Sequence, residues 1–278
     1  MKLYTIETGF FKLDGGAMFG VVPKSIWQKL NPADENNMCT WAMRCLLVEN
    51  HNRLILIDTG IGNKQSEKFF SFYYLHGDDS LEKSLNKYGF TYTDITDVFL
   101  THLHFDHCGG AISFEKSKEY YYPTFPNATY WSHSKHWDWA IHPNDREKAS
   151  FLKENILPIQ ESGQLKFVDK DTYDLPFEYI DVYGHTEAMI LPIIEYKGTK
   201  VIYLADLIPS SGHIPIPYVM AYDVRPLETM KEKKQILEKA FQENWLLFFE
   251  HDPKIELCNL QKTEKGIRMQ HTLKLNEV

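Results

Sequence analysis

Residues 101 to 110 read Thr-His-Leu-His-Phe-Asp-His-Cys-Gly-Gly, so His102, His104, Asp106 and His107 crowd three imidazoles and a carboxylate into one short turn after an apolar run. Imidazole and carboxylate suit Zn²⁺, Mn²⁺, Fe²⁺ or Co²⁺, and alternate residues of an extended turn let His102 and His104 reach one ion. Asp106 and His107 can turn toward a second. Gly109 and Gly110 then permit a tight turn and close packing. A lone histidine is more simply a hydrogen-bonded core residue. Three beside an unpaired aspartate would leave buried polar groups wanting partners, at about 1 to 3 kcal/mol each, so metal ligation is the better reading of the cluster.

Several β-branched and aromatic runs end near a His or Asp: 54–60 (LILIDTG), 97–102 (DVFLTH), 179–186 (YIDVYGHT), 201–206 (VIYLAD) and 245–252 (WLLFFEHD). Most are apolar on both alternating positions, as in strands covered on both faces. Loops at the carboxyl ends of such strands collect ligands in layered α/β proteins, so five strand ends aim polar residues at one rim. Residues 3–11 and 41–49 read as further strands. Helices are expected over 80–89, over about 134–157 and over 226–244, where Leu227, Met230, Ile236, Leu237, Ala240 and Phe241 form an apolar stripe opposite a charged face. The expected architecture is two sheets enclosed by helices.

The chain has 278 residues, 43% hydrophobic, 14% aromatic and 24% charged, which is the composition of a packed globular protein rather than a disordered or coiled-coil one. No repeat or linker divides it, so a single domain over 1–278 is expected. Its 30 basic and 38 acidic residues give a net charge of -8, which leaves no general basic field to gather phosphates and makes nucleic acid an unexpected partner. Cys39, Cys45, Cys108 and Cys258 form no CxxC or dense framework and are expected as separate thiols. The first residues lack the pattern of a signal peptide, and no run approaches the roughly 18 apolar residues of a membrane span, so a cytoplasmic protein without a membrane partner is expected.

His102-x-His104-x-Asp106-His107, then Gly184-His185-Thr186, Ala205-Asp206 and a late His251, together resemble the metallo-β-lactamase superfamily of hydrolases over nearly the whole chain. The resemblance implies its αββα sandwich: two mixed sheets flanked by helices. It also implies two divalent ions, with zinc first and manganese, iron or cobalt as alternatives. His102, His104 and His185 would hold one ion and Asp106, His107 and His251 the other, with Asp206 bridging them. An anionic bridge reduces repulsion between dications, and a hydroxide shared between them becomes a nucleophile near neutral pH. Asp58 and Thr186 each either orient a ligand or merely end a structural element.

His104 stands where redox di-iron relatives carry an acidic residue, and Asp206 supplies a bridge that antibiotic-degrading relatives usually lack; both favour another branch. Asp14 to Lys24, Asp206-Leu207-Ile208-Pro209, His213 and Ala221-Tyr222-Asp223 resemble the branch of N-acyl-homoserine lactonases and methyl parathion hydrolase. It implies a small ester or lactone substrate, and a homodimer would be typical of it. In that branch a tyrosine three residues after the bridging aspartate contacts the lactone; here the position is Pro209. His213, Tyr222, Met18 and Phe19 are the candidates for substrate contact, with Asp106 and Asp206 the catalytic carboxylates and Asp106 a proton shuttle. The expected reaction is hydroxide attack on a lactone carbonyl, opening N-acyl-homoserine lactones and so quenching a quorum signal. Phosphotriester, arylester or thioester hydrolysis is the alternative within the class, and a non-catalytic metal-dependent ligand-binding or sensing protein is the alternative outside it.

Phe69, Phe70, Phe72, Tyr73, Tyr74, Trp131, Trp137 and Trp139 serve an acyl-chain pocket, the core or a dimer contact. His133, His136 and His142 share no clean helical face and read as structural or surface residues, and Cys108 as packing.

Overall fold

In a computed structural model, residues 1–117 and 119–278 are described. The first part of the chain supplies β1 (Lys2–Asp14), β2 (Met38–Asn50), β3 (Arg53–Ile57), β4 (Asp97–Phe99), a small hairpin of β5 (Ile112–Glu115) and β6 (Tyr120–Pro123), then β7 (Thr129–Ser132) and β8 (Leu165–Phe167). The second supplies β9 (Glu178–Val182), β10 (Met189–Tyr196), β11 (Thr199–Tyr203), β12 (Leu246–Phe248), β13 (Leu257–Thr263) and β14 (Gly266–Leu273). Apart from the separate β5-β6 hairpin, they form two six-stranded sheets, ordered β1-β2-β3-β4-β7-β8 and β14-β13-β12-β11-β10-β9. Both are mixed. β3, β4, β7 and β8 run parallel in the first, β11 and β12 in the second, and the other neighbours are antiparallel.

Alternation along the strands builds two cores at once. Leu46, Val48, Ile55 and Ile57 point between the sheets toward Val182, Ile190, Ile202 and Leu204. Their neighbours Cys45, Leu47, Leu54 and Leu56 point the other way, onto Leu81, Leu85, Trp137, Ile156 and Ile159 of the helical layer. The helix Pro226–Gln242 covers the second sheet through Ile236, Leu237 and Ala240, so the order of layers is helix, sheet, sheet, helix. All four cysteines are buried, free thiols. No helix among the described residues is long and apolar enough to cross a membrane.

The single helix expected over 134–157 is instead two, Ser134–Ile141 and Lys153–Glu161. Pro143 disfavours helical backbone at the residue before it, and Asn144 takes the following turn by accepting from the amides of Arg146 at 2.9 Å and Glu147 at 3.1 Å. The break delivers Arg146 and Glu147 to the functional rim.

Candidate metal centre

Five strands end at that rim and each releases one part of the cluster. β3 leads to Asp58, β4 to His102, β9 to His185, β11 to Asp206 and β12 to His251. Asp58 and Ala205 both sit in left-handed backbone, φ 56° and 41°, a strained conformation for side chains that here turns the chain sharply off β3 and β11. The rim is also stitched across the two sheets. Ala42 and Arg44 of β2 donate their amides to the carbonyls of His251 at 3.1 Å and Glu250 at 3.0 Å. Close packing fixes the ligand turn as well, since a Cβ on Gly109 would lie 2.1 Å from the Ile61 carbonyl oxygen.

Three groups of buried donors result: His102, His104, His185 and Asp206 in the first, Asp106, His107 and His251 in the second, and Asp58, His107 and Glu250 behind the second. In the first, Nδ1 of His104 lies 3.1 Å from Nε2 of His102 and 3.2 Å from Nε2 of His185, which is 3.1 Å from Oδ2 of Asp206. In the second, Nε2 of His251 is 3.2 Å from Nε2 of His107 and 3.8 Å from Oδ2 of Asp106. Asp206 faces both, for its Oδ1 is 3.0 Å from Nε2 of His251. These residues fit divalent ions: nitrogens bound at about 2.0 to 2.1 Å in a tetrahedron stand roughly 3.3 Å apart, close to the spacings found.

The far side of each ring is held. With Nε2 turned to the cluster, Nδ1 of His185 donates to Asp223 at 2.9 Å and Nδ1 of His251 to the Ala42 carbonyl at 2.7 Å. Nδ1 of His102 donates to the Thr101 hydroxyl at 3.1 Å, which passes its own hydrogen to Asp58 at 2.7 Å. Nδ1 of His107 faces Asp58 at 3.1 Å and Glu250 at 3.0 Å. His104 uses Nδ1 in the cluster, leaving Nε2 3.6 Å from Glu147, which accepts from Thr186 at 2.6 Å and Trp139 at 2.7 Å. Such contacts fix tautomer and ring orientation.

The electrostatics divide the rings. Burial, reinforced by neighbouring imidazoles, drives His102 well below the ordinary histidine value, and burial lowers His104 too, so both present a free lone pair. Burial also opposes charge on His185 and His251, but Asp206 outweighs it and raises them to about 10 and about 9. On His107 burial is overcome by Glu250, Asp106 and Asp206. Burial pushes Asp206 upward, yet His185, His107 and His251 hold it well below the carboxylate range. A field that retains protons on these rings also attracts a dication, and ligation exchanges one for the other.

A cavity of about 380 Å³ opens over the cluster. Asp106, His104, His185, Asp206 and His251 form its floor; Met18, Tyr73, Phe105, Arg146, Met220 and Tyr222 are among its walls. Of the four substrate-contact candidates, only Met18 and Tyr222 line it. His213 and Phe19 lie behind the wall, which corrects their expected placement. The His213 ring is fully buried, stacked on Phe19 at 4.3 Å, and both nitrogens are spent, on Ser210 at 2.8 Å and the Met18 carbonyl at 2.9 Å. Phe19 is wedged between His213 and Trp27. The aromatic segments divide likewise. Tyr73 lines the cavity, backed by Phe69 at 5.0 Å, whereas Phe72 and Tyr74 are exposed and Trp131 and Trp137 belong to the cores. His136 braces the ligand turn by accepting from the Leu103 amide at 2.8 Å, and Cys108 donates to the Leu103 carbonyl at 3.3 Å.

Glu147, Arg146 and Glu250 carry no local motif and were not anticipated as parts of the site. Only Glu250 had a signal, its place beside His251 at a strand end.

Comparison with known proteins agrees with this geometry. Residues 44–251 match the family described as the metallo-beta-lactamase superfamily. The N-acyl homoserine lactonase AiiA of Bacillus thuringiensis subsp. kurstaki is 24% identical over 265 residues, covering 90% of this chain and 93% of that protein. The crystal structure of a probable metal-dependent hydrolase from Staphylococcus aureus superposes with a TM-score of 0.86 at 28% identity, covering 98% of each chain. AidC, described as a dizinc quorum-quenching lactonase, shares the fold with a TM-score of 0.79 at 24% identity, over 98% of this chain and 95% of that one.

Proposed function

The chain belongs to the metallo-beta-lactamase superfamily of metal-dependent hydrolases, and on that premise we propose that it opens the ring of small lactones, N-acyl-homoserine lactones first among them, within one domain spanning 1–278. The observation that carries this reading is a seven-residue donor set, His102, His104, Asp106, His107, His185, Asp206 and His251, gathered under one largely apolar cavity. The lactonase descriptions of AiiA and AidC support the substrate class, and the dizinc description of AidC supports zinc. Opening such a signal would quench it.

When bound, a pair of divalent ions supplies water activation near neutral pH and polarisation of an ester carbonyl. The chain's own residues do the rest. His102, His104 and His185 would hold one ion and Asp106, His107 and His251 the other, with Asp206 placed between the two groups. Hydrolysis adds the oxygen of water to the carbonyl carbon, breaks the acyl carbon–oxygen bond and needs one proton delivered to the departing alkoxide. Asp106 lines the cavity and is the carboxylate assigned to carry that proton. Tyr222 is 40% exposed at the cavity and takes the donor role for which Pro209 is unsuited; a phenol stays protonated near neutral pH and is able to donate. Met18, Phe105 and Met220 offer apolar wall to an acyl chain and keep bulk water from the reacting ester.

Turnover of the zinc-loaded protein on N-acyl-homoserine lactones, paraoxon-like phosphotriesters, arylesters and thioesters tests the reading. Lactones are expected to give the highest kcat/KM. A higher value for the triesters or thioesters would move the assignment to that bond type, and saturable lactone binding without turnover would make the chain a binding protein.

A further inference from the structure

We propose that Glu250 is a positioning residue for the second ion: with Asp58 it clamps the back of the His107 ring and sets how tightly that half of the centre holds its cation. The inference rests on the two-ion reading of the site and adds a residue that nothing in the ligand pattern supplies.

One imidazole nitrogen faces two carboxylates. Nδ1 of His107 lies 3.1 Å from Oδ2 of Asp58 and 3.0 Å from Oε2 of Glu250, and all three side chains are fully buried. Their other commitments differ. Asp58 is anchored independently, accepting from the Thr101 amide at 2.8 Å and the Thr101 hydroxyl at 2.7 Å. Neither oxygen of Glu250 has a hydrogen bond of good geometry among the described residues, and its contact with His107 is the one ion pair found for it. Around it, the Tyr203 hydroxyl gives its hydrogen to the Arg44 carbonyl at 2.9 Å, which leaves only its lone pairs toward Glu250, and Cys45 offers a buried neutral thiol. The backbone nonetheless holds this residue firmly, since the Arg44 amide donates to its carbonyl at 3.0 Å.

A carboxylate with no hydrogen bond of good geometry is costly to bury, and its one compensation among the described residues of the metal-free chain is the ion pair with the His107 ring. Its charge is useful toward the cation on the other side of the ring. A carboxylate behind a ligating imidazole fixes the ring and strengthens its donation. The first half of the centre has weaker support: a hydroxyl behind His102, one carboxylate behind His185 and a carboxylate only 3.6 Å from His104. Behind His107 stand two carboxylates, Asp58 hydrogen-bonded to Nδ1 and Glu250 at ion-pair distance from it, and together they act on the second position selectively.

The test is Glu250→Gln in the full chain, which keeps the shape and removes the charge, with Glu250→Asp as the charge-retaining companion. Zinc stoichiometry and the two affinities are measured by chelator competition, alongside the unfolding midpoint of the metal-free protein. Glu250→Gln is expected to bind the first ion as the parent does and to bind the second about 10- to 100-fold more weakly. Glu250→Asp is expected to recover part of the second affinity, and is decisive alone if Glu250→Gln does not fold. Parental affinity at both positions, or a metal-free midpoint that drops while both ions weaken together, overturns the proposal, the latter marking Glu250 as merely structural. A parent chain that holds fewer than two ions overturns the two-ion reading itself, and this role with it.

Discussion

Asp223 accepts from Nδ1 of His185 at 2.9 Å, and this bond decides which nitrogen of His185 is turned toward Asp206 and His104. Asp223 is also tied in place, accepting from the Met220 amide at 3.2 Å. Asp223→Ala is therefore expected to free the ring and cut metal affinity or kcat/KM by about 10- to 100-fold, with Asp223→Asn milder because its amide oxygen still accepts. Parental affinity and kcat/KM in Asp223→Ala would contradict this.

Asp206→Asn replaces the one carboxylate that faces both donor groups with an amide of the same shape. Removing an anion between two dications restores their repulsion. Metal analysis is expected to find one ion per chain instead of two, with a larger loss of activity than in Asp223→Ala. Two tightly held ions in Asp206→Asn would show that Asp206 does not bridge.

The raised values of His185 and His251 set a pH dependence with two opposite senses. In the metal-free chain their protonated forms beside Asp206 contribute stability that is full below about 6.5, the ordinary histidine value, and is lost as pH rises through about 9 to about 10. Ions displace those protons, so metal affinity rises over the same window. The increase in Tm produced by a fixed free zinc concentration should grow from pH 6.5 to pH 9, as scanning calorimetry would record. An increase that shrinks with pH contradicts the assignment.

Gly184 lets the His185 loop lie against the helix Pro226–Gln242. A Cβ there would stand 2.3 Å from the Thr229 amide nitrogen and 2.5 Å from its Cα, and neither backbone atom can move without the helix. Gly184→Ala is expected to cost about 1 to 3 kcal/mol of stability by overpacking and to weaken the first ion. Urea unfolding measures it, and an unchanged midpoint would show that the loop has room.

The sequence carried the layered fold and the gathering of the seven donors well, because a strand buried on both faces and a cluster such as His102 to His107 are local signals. It carried the environment of those donors poorly. Glu147 acts from a loop broken at Pro143, and its contact with Thr186 spans 39 positions that no local pattern records. His213 lies close in sequence to Asp206, yet a short turn points its ring into the wall behind the cavity, where Phe19 and the Met18 carbonyl receive it. Proximity along the chain sets distance but not direction, so a donor cluster legible as motifs came with cavity walls that were not.

Lactone hydrolysis by the purified chain, followed before chelation, after metal removal verified by elemental analysis, and after restoring zinc, tests the central claim most directly. Two ions per chain, loss of turnover on stripping and recovery as the second ion returns are the predicted results. Full turnover in the verified metal-free protein would contradict the account.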